Sequence, residues 1–155
     1  MAMLSKEIFQ KADYFPPTIG IEKFSLWFYQ LTTLLLFIFL FFYDVNFDNT
    51  LSYIGLGLYI LGMILYFKSV YDFSKPEGTQ FSKYGLYKIS RNPMYVSFFI
   101  YFLGISLILN SWIYFITLII LQISVHFLIL SEERWCLEEY GEEYKKYMQQ
   151  VRRYF

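Results

Sequence analysis

The sequence predicts an all-α integral membrane fold, with about four transmembrane helices and a C-terminal amphipathic helix on the cytoplasmic side. Three observations carry that expectation. The chain holds four apolar runs without a charged residue, its basic residues are confined to three places, and its tail repeats apolar positions every three or four residues. Hydrophobic residues make up 57% of the 155 positions and aromatic ones 24%. Too little polar surface is left to cover four such runs in water, which argues against a soluble domain. The length fits one domain, 1–155.

The polar lead-in ends at residue 23, and Pro16-Pro17 within it favours an extended approach to the membrane. The first span is expected at 24–43. No small-residue cleavage pattern follows it, so it reads as a retained helix rather than a signal peptide. The second span is expected at 51–70, where Gly55, Gly57 and Gly62 would allow close helix packing. The third and fourth are expected at 93–109 and 112–131. A bilayer core takes roughly 20 helical residues, so the shorter middle runs must borrow flanking residues or thin the bilayer locally.

Charge sets the orientation. Lys and Arg fall in the N-terminal segment, in a middle loop (Lys75, Lys83, Lys88, Arg91, with Lys68 at its edge) and in the tail. The connector 44–50 is acidic, and Asn110-Ser111 is all that separates the last two runs. Basic loops stay in the cytoplasm, so both termini and the loop 72–92 are expected there, most simply in a bacterial cytoplasmic membrane. Pro93 suits the first turn of the third helix, placing Arg91 and Asn92 at its mouth. In the tail, 132–155, Leu137, Tyr140, Tyr144, Tyr147 and Val151 form a helical stripe that could meet the middle loop or the membrane surface. Gly141 interrupts it and predicts a bend. Arg152 and Arg153 are expected in the last helical turn.

The short Asn110-Ser111 turn makes the last two helices an antiparallel hairpin, so their cytoplasmic ends must be neighbours. Asn92–Tyr95 and His126–Glu133 should therefore meet. A pocket there would have an apolar floor, aromatic walls (Tyr84, Tyr87, Tyr95, Trp135) and charges of both signs. It would suit a zwitterionic, part-aromatic small molecule. The single Cys136 excludes an internal disulfide, and no metal-ligand cluster is indicated.

The run "GTQFSKYGLYKISRNPMY", followed by "HFLILSEERWCLEEYGEEYKKYMQQVRRYF", resembles the isoprenylcysteine carboxyl methyltransferase and phospholipid methyltransferase superfamily, and looks most like its small bacterial members. The resemblance covers about half the chain, from Lys75 to Phe155. It implies a membrane methyltransferase with S-adenosylmethionine as cofactor. The implied cofactor contacts are Gln80, Phe81, Ser82, Tyr87, Asn92, Pro93, Met94, Tyr95 and Glu132. Gly85 would serve the turn, and Arg91 would brace the site or meet an anionic group. For an amine or hydroxyl acceptor, His126 or Glu133 would act as base.

Two positions depart from the superfamily's eukaryotic carboxyl methyltransferases. Asn92 stands where they usually carry His, and "HFLIL" lacks the arginine that meets their substrate carboxylate, so prenylcysteine is not the expected acceptor. The expected partners are a lipophilic small-molecule or lipidated substrate and membrane lipid, with no nucleic acid; the oligomeric state is open. A non-catalytic membrane partner on the same scaffold is the alternative. A small proton-coupled exporter is a third class, for which His126 is the one ionisable candidate within the spans.

Overall fold

The computed structural model describes residues 20–45, 47–74 and 81–154. Among them are four α-helices, a short 3₁₀ helix at Gly85–Lys88, and no strand beyond an isolated parallel bridge between Ser90 and Arg152. The helices are α1 (Ile21–Phe39), α2 (Thr50–Phe73), α3 (Pro93–Ile108) and α4 (Trp112–Gln150). The polar lead-in with its Pro16-Pro17 step, and Gln80 of the loop, lie outside the described residues.

The expected boundaries shift for local reasons. Helix α1 stops at Phe39, and Leu40, Phe41 and Phe42 then bond three residues back, to Phe37, Ile38 and Phe39. Such bonds tighten and close a helix end. Helix α2 starts where Asn49 accepts from the Ser52 backbone at 2.9 Å, a side-chain N-cap. It runs on to Phe73, so Asp72 belongs to the helix and not to the loop. Helix α3 opens at Pro93, whose missing N–H costs nothing in the first turn. Ser111 caps α4 through the Tyr114 N–H, and its hydroxyl donates to Tyr43 at 2.8 Å. That bond ties the α3–α4 turn to the end of the first apolar run.

Helix α4 is broken once, at Gly141 (φ 52°, ψ −130°). This left-handed backbone region favours glycine, so the bend sits where the sequence allows it. The segment beyond it ends at Gln150, and Arg152 and Arg153 lie past the helix rather than in its last turn.

Helix α2 packs on α3, and α1 packs on α4. The α2–α3 contact depends on missing side chains. A Cβ on Gly55 would lie 2.6 Å from the Gly104 carbonyl, and one on Gly62 would lie 2.5 Å from the Tyr101 nitrogen. Gly57 faces open space. Leu36, Phe102, Tyr114, Leu118 and Ile129 form the buried centre. Trp27, Phe28, Ile54, Ile64, Phe67, Ile116 and Ile123 stay exposed around the outside. An outer surface of this kind suits hydrocarbon rather than water.

By length and composition, α2 and α4 can cross a bilayer; α1 and α3 are shorter apolar helices. Helix α3 has 16 residues, about 24 Å of rise against a hydrocarbon core of about 30 Å.

Gly62→Ala should force α2 and α3 apart, because the obstructing atoms are backbone. The expected loss is about 1–3 kcal/mol, as for overpacked cores. Thermal melting in detergent should show a lowered Tm for Gly62→Ala and an unchanged one for Gly57→Ala.

Candidate functional site

The site is assembled on the loop between α2 and α3. Asp72 is fully buried at the end of α2. Its carboxylate accepts from Lys68 one turn back and from the Leu86 backbone N–H at 2.9 Å. Gly85 lies directly against it with φ +55°, and a methyl group there would run into the Asp72 carboxylate. Asp72 thus pins the 3₁₀ helix onto α2 and aims Tyr87 inward.

Arg91 then fastens the tail. Its guanidinium donates to Glu133 from Nε at 3.0 Å and pairs with it through Nη2 at 2.9 Å. Nη1 donates to the carbonyls of Met148 and Val151 at 2.9 and 3.0 Å. Those are the end of α4, where carbonyls lack helical partners and the dipole favours a cation. Arg153 closes the other side of the same carboxylate at 2.8 Å. The backbone joins in: the Arg91 N–H donates to Arg152 O at 2.9 Å, and Asn92 Nδ2 to Arg153 O at 3.2 Å. The tail then turns back along α4, and the Tyr154 hydroxyl sits 2.7 Å from His126 Nδ1.

The tail stripe meets the loop rather than pointing away from it. The Phe81 ring lies 4.9 Å from Tyr144, 5.2 Å from Tyr140 and 5.3 Å from Tyr147, centroid to centroid. Tyr147 donates to the Tyr87 carbonyl at 2.6 Å. Lys83 pairs with Glu143 at the rim.

These contacts surround a cavity of about 450 Å³. Of the residues singled out from sequence, Phe81, Ser82, Tyr87, Arg91, Asn92, Met94, Tyr95 and Glu132 line it. Pro93 is buried beneath as the first residue of α3. Glu133 and His126 do not line it: the first is held between two arginines, the second faces Tyr154. Glu132 and Glu133 are adjacent yet opposite in role, because a helix turns successive side chains about 100° apart. Glu132 faces the cavity and accepts from Tyr95 at 2.6 Å. No lysine or arginine among the described residues pairs with it. Burial raises its carboxyl above the usual range and Glu133 adds to the rise, while the Tyr95 bond opposes it.

Sequence reasoning missed Asp72, hidden at the end of an apolar run. A buried carboxylate one turn after Lys68 was the available signal. It also missed Tyr29, Thr33 and Tyr66, because nothing in a single apolar helix says which face meets a distant one.

Arg91→Lys should loosen the tail, since an ammonium cannot reproduce the forked contacts with Glu133, Met148 and Val151. Glu133→Gln leaves two arginines without their carboxylate, and breaking a buried pair of this kind costs about 3–5 kcal/mol. Hydrogen exchange over residues 142–154 should accelerate in both variants while α2 stays protected.

A family model described as phospholipid methyltransferase matches residues 50–143. No curated protein and no solved structure matches the chain. The matched segment carries Asp72, Gly85, Arg91, Tyr95 and the Glu132-Glu133 pair, whereas Tyr29 and Thr33 of α1 and the tail from Tyr144 onward lie outside it. Enzymes of this family generally use S-adenosylmethionine. With α2 and α4 long and apolar enough to span, and an outer surface suited to lipid, this is an integral membrane protein. The chain belongs to the phospholipid methyltransferase family.

Proposed function

We propose that the protein is an S-adenosylmethionine-dependent methyltransferase acting on a lipophilic or membrane-delivered acceptor. In this reading the chain crosses the membrane four times, with both termini and the cavity mouth at the cytoplasmic face. The supporting observation is Glu132: a carboxylate that faces an aromatic-lined cavity with no cationic partner among the described residues. A buried charge is costly unless something pairs with it. A ligand bearing ammonium and sulfonium charge supplies that pairing.

The lining fits such a cofactor. Glu132 would face its cationic end, with Tyr95 fixing the carboxylate's orientation. The first amides of α3 are not capped by Asn92, whose side chain donates to Arg153 instead, so they are available to a carboxylate beside Asn92 and Met94. Phe81, Tyr87, Trp135 and Tyr144 offer ring faces and edges for a purine. Bound there, S-adenosylmethionine supplies an electrophilic methyl group. The chain's own task is to align and enclose: the tail, latched by Arg91 and Glu133, covers the cavity from the cytoplasm. Arg91 and Glu133 act here as positioning residues, and His126 anchors the tail through Tyr154. A proton released by an amine or hydroxyl acceptor has the Glu132 carboxylate, which lines the cavity, as its recipient.

Calorimetry of the purified protein with S-adenosylhomocysteine and S-adenosylmethionine tests this reading. Binding is expected, weakened about tenfold or more by Glu132→Gln, the scale of one lost charge-assisted contact. Absence of binding by folded protein at millimolar ligand would reject the enzyme reading. The pH dependence has a definite sign. Protonating Glu132 removes the charge that attracts the sulfonium, so affinity for S-adenosylmethionine falls as pH drops. Because burial raises this carboxyl, the fall begins at higher pH than for an ordinary glutamate, and Glu132→Gln removes it.

A further inference from the structure

Each of the four helices sends one oxygen-bearing side chain to the same part of the cavity. Tyr29 comes from α1, Tyr66 from α2, Tyr95 from α3 and Glu132 from α4. The Tyr29 hydroxyl lies within electrostatic reach of the Glu132 carboxylate and of the Tyr66 hydroxyl. Tyr95 interacts with Tyr29 in the same way, besides donating to Glu132 at 2.6 Å. The four groups are therefore neighbours as well as lining residues of one cavity.

Two of the three phenols have no evident task in holding the fold. The hydroxyls of Tyr29 and Tyr66 make no hydrogen bond among the described residues. The Tyr66 ring is seated edge-on against Phe98, at 5.0 Å between centroids, and that contact needs no hydroxyl. Glu132 keeps lone pairs free after accepting from Tyr95. Arg91, the one cation among the described residues of the lining, is taken up by Glu133 and the carbonyls of Met148 and Val151. What faces the cavity between these helices is a cluster of oxygen atoms in aromatic surroundings. Hydroxyls on membrane helices normally find partners, so the cluster calls for an occupant that complements it.

We infer that Tyr29 and Tyr66 are specificity-determining residues of the cofactor site, whose hydroxyl oxygens hold the transferable methyl of the sulfonium. A sulfonium has no N–H to donate; its charge is spread over the hydrogens of its attached carbons. Lone pairs and ring faces are what can pair with it. With a sulfonium in place, Tyr66 donates to Tyr29 and Tyr29 to a free Glu132 lone pair. Each phenol then turns a lone pair of its own to the methyl. Methyl transfer breaks the carbon–sulfur bond and leaves its electron pair on sulfur. The methyl joins the acceptor, and the nucleoside left behind carries a neutral thioether. The oxygen cluster has then lost its complement, so the spent cofactor is held less tightly than the loaded one. The inference rests on the methyltransferase reading and adds to it two side chains, one of them on a helix outside the family-matched segment.

Calorimetry of the full chain in detergent tests it, with S-adenosylmethionine and S-adenosylhomocysteine as paired probes that differ by one methyl and one charge. The wild type should bind S-adenosylmethionine the more tightly. Tyr29→Phe and Tyr66→Phe should each weaken that binding about two- to fivefold, the scale of one weak C–H···O contact. Affinity for S-adenosylhomocysteine should stay as it is, which also shows that each variant is folded. Tyr53→Phe, the same change on the exposed side of α2, should alter neither affinity. A wild type without preference, or a double variant with the preference intact, would overturn the assignment and leave the methyltransferase reading standing. Equal weakening of both nucleosides would also overturn it, since that is what a purely structural role produces. Binding of neither nucleoside by folded protein would reject the methyltransferase reading, and the assignment with it. If one single variant does not fold, the other, on a different helix, decides.

Discussion

The Glu133 carboxylate, held between Arg91 and Arg153, is the interaction on which the rest of the site depends. Its contacts bring together three places that are far apart in sequence: the mouth of α3, the exit of α4 and the end of the tail. Both Arg91 and Glu133 are nearly inaccessible, 8% and 5% exposed at the side chain. Such a pair gains little over well-packed apolar residues, but it is costly to break and it specifies one arrangement. Arg91 makes the arrangement unique by reading a backbone as well as a charge, through the carbonyls that end α4. A hydrophobic contact in its place could slide; a fork on two carbonyls and a carboxylate cannot.

That latch explains why the two adjacent glutamates divide their work. Glu133 is neutralised, so the tail can lie over the cavity without leaving a charge exposed to it. Glu132, one position earlier, points into the cavity and is steadied, among the described residues, by the Tyr95 hydroxyl. One helix therefore supplies a structural and a cavity-facing carboxylate without a loop between them. Asp72 does the corresponding work on the other side. It holds the 3₁₀ turn against α2 so that Tyr87 and Phe81 face the tail. The glycine at 85 is required there because the carboxylate occupies the space of a side chain.

What could be read from the sequence follows from how far each physical cause reaches along the chain. The helices themselves were legible, because apolar runs and Pro93 act locally. The bend at Gly141 was legible for the same reason. The meeting of Asn92–Tyr95 with the start of the tail was also legible, since a two-residue turn leaves adjacent helices no other choice. The division between Glu132 and Glu133 was not, because it depends on where Arg91 and Arg153 arrive from elsewhere. His126 illustrates the same limit. As the single ionisable residue in its apolar run it drew attention, yet its ring faces Tyr154, which belongs to a tail whose course the sequence did not reveal. Arg152 and Arg153 were expected to end a helix. They lie beyond it because the backbone at Val151 becomes extended, and Arg153 then reaches Glu133.

The cavity's two ends impose different demands, and on the proposed reading these would divide cofactor from acceptor. Near Glu132 the walls are charged, hydrogen-bonded and close to the loop between α2 and α3, an environment in which a soluble, charged molecule can shed its water and find replacement partners. Toward Thr33 and Gln122 the walls are aliphatic and aromatic, and water gains nothing by entering beyond two hydrogen bonds. A molecule dissolved in the membrane meets the second environment at no desolvation cost, whereas one dissolved in the cytoplasm meets the first. A methyl group passed between them would move from a polar donor site to an apolar acceptor site across a single cavity, with α3's Phe98 and Phe99 along the wall that joins them. The close α2–α3 packing through Gly55, Gly62 and Gly104 keeps that wall in place, since it fixes the helix that carries both Tyr95 and the two phenylalanines.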